Sequence, residues 1–139
     1  MTVIGYVPGA YDLLHVGHLR ILERSRRRCD RLIVGVVGDA LAEAARGERP
    51  AVALEERMRL VAALPWVDEV VEDVSSDKSI AWERHRFDVV FKGDDWLGTD
   101  RGDRLEAAMA AVGAEVVYLP YTREISSTML RAELGSAAR

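Results

Sequence analysis

Short apolar runs alternate with longer amphipathic stretches along the 139 residues. The runs TVIGYV (2–7), RLIVGVV (31–37), VDEVV (67–71), FDVVF (87–91) and AEVVYL (114–119) are rich in β-branched residues and predict strands. Four of them have few polar positions, the pattern of strands covered by helices on both faces. Between the runs, apolar residues recur at helical spacing over 17–29, 53–63, 77–85 and 102–112, and again from about 126 to 134. This order predicts an α/β domain with a five-stranded, mostly parallel sheet flanked by helices. One domain over 1–134 accounts for the length, with a short flexible tail at 135–139.

In parallel sheets ligands collect beyond the carboxyl ends of the strands. Four segments fall there: 8–18, then Gly38 with Asp39, then KGDDW (92–96), then PYTREISST (120–128). They are also the chemically unusual parts of the chain. In the first, PGAYDLLHVGHLRIL, Gly9 permits a tight turn, and Gly17 opens a helix whose first amides lack internal partners. His15 and His18 stand at that helix start, where both rings can point at one anion, donate hydrogen bonds and gain charge at little cost. The implied ligand is a phosphate. Ser126, Ser127 and Thr128 make a second candidate anion site or an ordinary helix cap. A histidine pair three apart is also half of a zinc site, but the remaining histidine, His85, falls on a different predicted helix.

Composition narrows the partners. The net charge of −4 gives no general attraction for nucleic acid. In the basic stretch RILERSRRRCDR, Arg20, Arg24, Arg27 and Arg28 have the spacing of the solvated face of an amphipathic helix. No apolar run approaches the roughly 18 residues of a membrane span, and no basic-then-apolar leader follows Met1, so a cytoplasmic protein without membrane partners is expected. The lone Cys29 has neither a disulfide partner nor a second metal ligand beside it.

Gly9, Ala10, Tyr11 and Asp12, with HVGH at 15–18, resemble the G-T-F-D-x-x-H-x-G-H signature of the cytidylyltransferase-like nucleotidyltransferases. GDDW (93–96), Gly98 and ISST (125–128) are similar to the later motifs of the glycerol-3-phosphate cytidylyltransferases, so the likeness runs from about residue 3 to 134. HxGH alone marks only the superfamily; the three motifs in this order are more specific. The resemblance implies a Rossmann-like domain that transfers CMP from CTP to a small phospho-alcohol. Glycerol 3-phosphate would give CDP-glycerol and pyrophosphate, with no covalent enzyme intermediate. Such chemistry relies on positioning and charge neutralisation.

By the same resemblance, His15, His18, Asp12 and Arg57 form the catalytic set. Gly9, Ala10, Tyr11, Gly17, Asp39 and Asp94 line the nucleotide pocket together with the histidines. Tyr121, Thr122, Arg123, Ile125, Ser126, Ser127 and Thr128 wrap the nucleotide and its phosphates. Lys78, Arg46, Arg49 and Trp96 serve the acceptor. A Mg²⁺ ion is expected with the triphosphate, with Asp12, Asp94 and Asp95 as candidate ligands. A homodimer is also implied, for which Leu64, Pro65 and Trp66 would suit an interface.

The chain departs from the family pattern in several places. Ala10 replaces a threonine, Arg46 and Arg49 stand near positions where lysines are usual, and in the late motif Tyr121 replaces an arginine and Glu124 a glycine. Arginine keeps the charge of lysine but differs in shape and reach. Lys92, before Gly93 at a strand end, receives no role. These departures leave open phosphoethanolamine, phosphocholine, a sugar phosphate or a phosphonate as acceptor, ATP as donor, and a nucleotide-binding module without turnover.

Overall fold

The computed structural model describes residues 1–120. Five strands, β1 (Ile4–Gly9), β2 (Arg31–Val37), β3 (Glu69–Asp73), β4 (Val89–Gly93) and β5 (Glu115–Leu119), form one sheet in the order β3-β2-β1-β4-β5. Every neighbouring pair is parallel. The helices are α1 (Val16–Arg26), α2 (Asp39–Arg46), α3 (Leu54–Ala62), α4 (Lys78–His85) and α5 (Asp100–Val112), and a 3₁₀ turn covers Asp94–Trp96. The α/β class and all five strands are as expected from sequence. The helix expected at 126–134 lies outside the described residues. None of the described helices is long and apolar enough to cross a membrane.

Buried apolar residues form two clusters because successive residues of a strand point to opposite faces of the sheet. Val7, Leu32, Val34, Val89 and Phe91 join Leu22 of α1 and Val61 of α3 on one face. Their chain neighbours Tyr6, Ile33 and Val90 join Ala81 of α4 and Leu105 and Met109 of α5 on the other. That two-sided burial is why β2 shows an unbroken buried run from Leu32 to Val36 rather than an alternation. Each fully buried leucine or phenylalanine contributes about 1.5–3 kcal/mol relative to exposure.

The structure adds one helix not expected from sequence. Gly38 and Asp39 were expected as a ligand-facing loop; instead Gly38 is the N-cap of α2 and Asp39 its first residue. The segment DALAEAAR buries only Ala42 and is favoured as a helix by alanine's high propensity. It ends at Gly47, which adopts a left-handed conformation at φ 78°. Three strands are shifted by two residues: β1, β3 and β4 run on to Gly9, Asp73 and Gly93, which moves Gly9 into β1 and Lys92 from the following loop into β4.

Candidate active site

The connection order reverses between β1 and β4, so the loops after these two central strands diverge and leave a crevice at the carboxyl edge of the sheet. A cavity of about 230 Å³ lies there. The loop after β1 and the start of α1 form one wall through Gly9, Ala10, Tyr11, His15, Gly17 and His18. The end of β4 and the turn after it form the other through Phe91, Lys92, Gly93, Asp95 and Trp96. Arg46, at the end of α2, also reaches the cavity.

Local backbone geometry shapes the first wall. Tyr11 and Leu13 adopt left-handed conformations at φ 53° and φ 50°, which cost a side-chain-bearing residue energy and persist only where surroundings impose them. Tyr11 is held by burial of its ring and by its hydroxyl, which donates to the Val7 carbonyl at 3.2 Å. The ring then lies against Gly9, where an added Cβ would come within 2.9 Å of it. Only glycine allows that approach.

The two histidines cap the helix they begin. His15 is the N-cap of α1, and its Nδ1 accepts a hydrogen bond from the Gly17 amide at 3.0 Å. His18 reaches back, its Nδ1 accepting from the His15 amide at 3.2 Å. This reciprocal arrangement is a capping box in which imidazoles replace the usual hydroxyl and carboxylate. It has a chemical consequence. With each Nδ1 used as an acceptor, the ring proton of the neutral imidazole resides on Nε2, so both residues become fixed Nε2–H donors. Their rings stack with centroids 4.0 Å apart, and the Tyr11 ring lies 5.4 Å from that of His18.

Charge on these rings is disfavoured. Burial lowers the His18 pKa to about 3, assisted by the neighbouring His15 and opposed by Asp12. Burial also lowers that of His15. Without ligand, both are therefore neutral donors at pH 7. In that state they meet phosphate oxygens as hydrogen-bond donors rather than as cations.

Several residues expected in the site stand behind its walls. Asp12 is fully buried, and its two carboxylate oxygens accept from the Ala51 and Val52 amides, each at 2.9 Å. It ties the segment before α3 to the β1–α1 loop instead of facing the cavity. Arg57 is also fully buried. Its Nε donates to the Val52 carbonyl at 2.8 Å, its Nη1 to the Ala10 and Val37 carbonyls at 2.7 Å each, and its Nη2 to Asp39 at 2.6 Å. One planar guanidinium thus joins the ends of β1 and β2 to α2 and α3, a geometry suited to its fork of donors. The same contact holds the Asp39 carboxyl below the usual carboxylate range.

Lys78 is similarly engaged. Its ammonium lies 2.6 Å from buried Asp73 and 2.6 Å from the Ser75 carbonyl, below the end of β3. Arg49 is exposed and pairs with Glu43 at 3.6 Å and Asp39 at 3.8 Å. Neither these two nor Asp12, Arg57, Asp39 and Asp94 line the cavity. Asp95, Arg46 and Trp96 do, as expected from sequence. Tyr121, Thr122, Arg123, Ile125, Ser126, Ser127 and Thr128 lie outside the described residues. Among the described residues no three carboxylate, histidine or cysteine side chains converge as a metal site, so the zinc alternative has no support there.

Lys92 is the residue sequence reasoning left without a role. It lines the cavity with its ammonium 4.0 Å from the centroid of the Trp96 ring, which Arg101 also approaches at 4.6 Å. The signal was present: a lysine closing an otherwise apolar strand is placed at the edge where ligands bind.

The cytidylyltransferase-like family profile matches residues 6–133, nearly the whole chain. The chain belongs to the cytidylyltransferase-like family. Glycerol-3-phosphate cytidylyltransferase of Bacillus subtilis (strain 168) is 32% identical over 134 residues, which cover 91% of this chain and 93% of that one. Bifunctional protein HldE of Nitrobacter hamburgensis is 36% identical over 137 residues, 97% of this chain. The match takes in only 27% of HldE, so the chain spans about a quarter of that relative. Among solved structures, a lipopolysaccharide core biosynthesis protein from Thermoplasma volcanium GSS1 superposes with a TM-score of 0.75 at 23% identity, over 90% of this chain and all of that one. That likeness establishes the shared fold.

Proposed function

We propose that this chain transfers CMP from CTP to a small phosphorylated alcohol, with glycerol 3-phosphate as the acceptor. The observation that carries the reading is the pair of imidazoles locked by their Nδ1 atoms at the start of α1, lining the crevice between β1 and β4. Two fixed donors and a helix N-terminus suit the oxygens of a polyphosphate. Similarity over nine tenths of both chains to a glycerol-3-phosphate cytidylyltransferase supports this acceptor.

In the proposed reaction an oxygen of the acceptor phosphate attacks the α-phosphorus of CTP in line. A new P–O bond forms as the bond to the bridging oxygen of pyrophosphate breaks, and pyrophosphate carries away the electron pair. His15 and His18 donate from Nε2 to phosphoryl oxygens on which charge accumulates, the kind of preorganised donation that lowers such barriers most. Gly9 and Tyr11 keep the wall close to the nucleotide, and no side chain acts as a nucleophile. Mg²⁺ would enter with the triphosphate, holding most of its ligands from phosphate and water; of the three expected carboxylates, Asp95 faces the cavity and would serve it. The ion would supply charge neutralisation there.

Pyrophosphate release tests the reading, with CTP, ATP, GTP and UTP each offered glycerol 3-phosphate, phosphoethanolamine, phosphocholine and a sugar phosphate. CTP with glycerol 3-phosphate should give the highest kcat/KM. Preference for another acceptor would reassign the alcohol, and calorimetric binding of CTP without pyrophosphate from any pair would make the chain a binding module.

A further inference from the structure

We propose that Lys92 is a substrate-binding residue of the acceptor site, its ammonium receiving the phosphate of the acceptor opposite His15 and His18 across the β1–β4 crevice. This assignment rests on the phosphate-acceptor reading above. Transfer requires two anions, the acceptor phosphate and the triphosphate, to meet at one phosphorus. Without ligand the histidines are neutral donors, so the positive charge that waits for an anion in the crevice comes from other side chains. Of the cations first expected to provide it, Arg46 reaches the cavity, whereas three are engaged within the protein: Lys78 with Asp73, Arg57 with Asp39 and three carbonyls, Arg49 with Asp39 and Glu43.

Lys92 differs. It is partly buried and lines the cavity, and among the described residues its ammonium has no carboxylate or carbonyl at hydrogen-bonding distance, only the face of Trp96. An ammonium withdrawn from water without an anionic partner is unfavourable until an anion arrives. The aromatic ring attracts the cation without consuming its three donors, which stay available to phosphate oxygens. Position supports the same conclusion, because Lys92 is the penultimate residue of β4 and the HxGH loop follows β1, the two strands that flank the reversal of the sheet.

The environment is finely balanced. Burial lowers the Lys92 pKa to about 8, helped by Lys78 and Arg101 and opposed by Asp95 and Asp73. Arg46, His15 and His18 face the same cavity, the histidines uncharged. A bound dianion would favour the protonated lysine, so acceptor binding should weaken as the pH rises through and above 8.

The test uses Lys92→Met, which conserves length and apolar packing, and Lys92→Arg, which restores charge. With CTP saturating, K92M should raise the KM for glycerol 3-phosphate about 10- to 100-fold, as for loss of one charge-assisted hydrogen bond, while the KM for CTP changes little. K92R should recover part of the loss. In the wild type the acceptor kcat/KM should fall on the alkaline side; in K92R that limb should move to higher pH, because guanidinium stays charged. A merely structural lysine would shift neither the limb nor the acceptor KM selectively. An unchanged acceptor KM in K92M, or a fall in kcat alone, would overturn the assignment, the latter placing Lys92 on the transferred phosphoryl group. If the wild type itself releases no pyrophosphate with any phosphate acceptor, it is the functional reading that fails.

Discussion

His18 performs two tasks through two atoms, and they can be separated by substitution. Its Nδ1 caps the His15 amide at 3.2 Å, and in the proposed reaction its Nε2–H is the donor offered to substrate. In His18→Asn the side-chain oxygen can occupy the place of Nδ1 and keep the cap, but nothing reaches the place of Nε2. In His18→Gln an amide N–H can reach that place, while the cap is lost. Both variants give up the stacking of His18 on His15 and on Tyr11, so that contribution cancels when they are compared. A lost helix cap costs about 1 kcal/mol. For a domain of this size that is roughly 3–6 °C in Tm. A lost preorganised donor lowers kcat about 10²- to 10³-fold. Thermal melts and pyrophosphate-release kinetics should therefore place H18N above H18Q in Tm and below it in kcat. If H18Q is instead the more stable or the slower of the two, the division of roles between the ring nitrogens is wrong.

Three further outcomes are expected. Because the folded pKa of His18, about 3, lies below the ordinary value near 6.5, the unfolded chain binds the extra proton first; the stabilisation is whole above pH 6.5 and is lost progressively toward pH 3. The Tm difference between wild type and H18N should accordingly shrink on acidification through that window, and a constant difference would contradict the buried, neutral imidazole. Arg57→Lys should lower unfolding stability in urea by about 3–5 kcal/mol, since one ammonium cannot span Val52, Ala10, Val37 and Asp39; wild-type stability would show the clasp to be dispensable. Lys78→Met should also destabilise, by leaving buried Asp73 without its cation, yet leave the KM for glycerol 3-phosphate unchanged because Lys78 does not line the cavity; a selective rise in that KM would return Lys78 to the acceptor site.

Much of the fold was legible in the chain because strand and helix periodicities are local. The apolar runs of β1, β2, β4 and β5 and the longer amphipathic stretches identified an α/β order without any tertiary information. α2 escaped because its signal lies in alanine's helix propensity over eight residues rather than in large apolar side chains. In the site, the histidine pair could be read from its spacing and from its place after the first strand. Sequence could not show that the same spacing makes the rings cap each other and thereby fixes which nitrogen faces the ligand.

The charged residues show where local information stops. Asp12, Arg57 and Lys78 match what a phosphate-transfer site needs, and each was expected in it. Tertiary contacts place them outside the cavity lining: Asp12 meets amides some 39 and 40 residues away, and Arg57 meets Asp39 at 18 residues' separation. Lys78 is the exception, meeting Asp73 only five residues back, where β3 ends beside the start of α4. Conversely, Lys92 drew no attention as one lysine in a strand, yet the sheet order brings it to the crevice opposite the HxGH loop. A sequence determines which side chains carry charge and which backbone segments favour helix or strand. Whether a given charge is consumed by a buried partner or presented to a ligand depends on distances between residues far apart in the chain, and these exist only once the sheet has assembled.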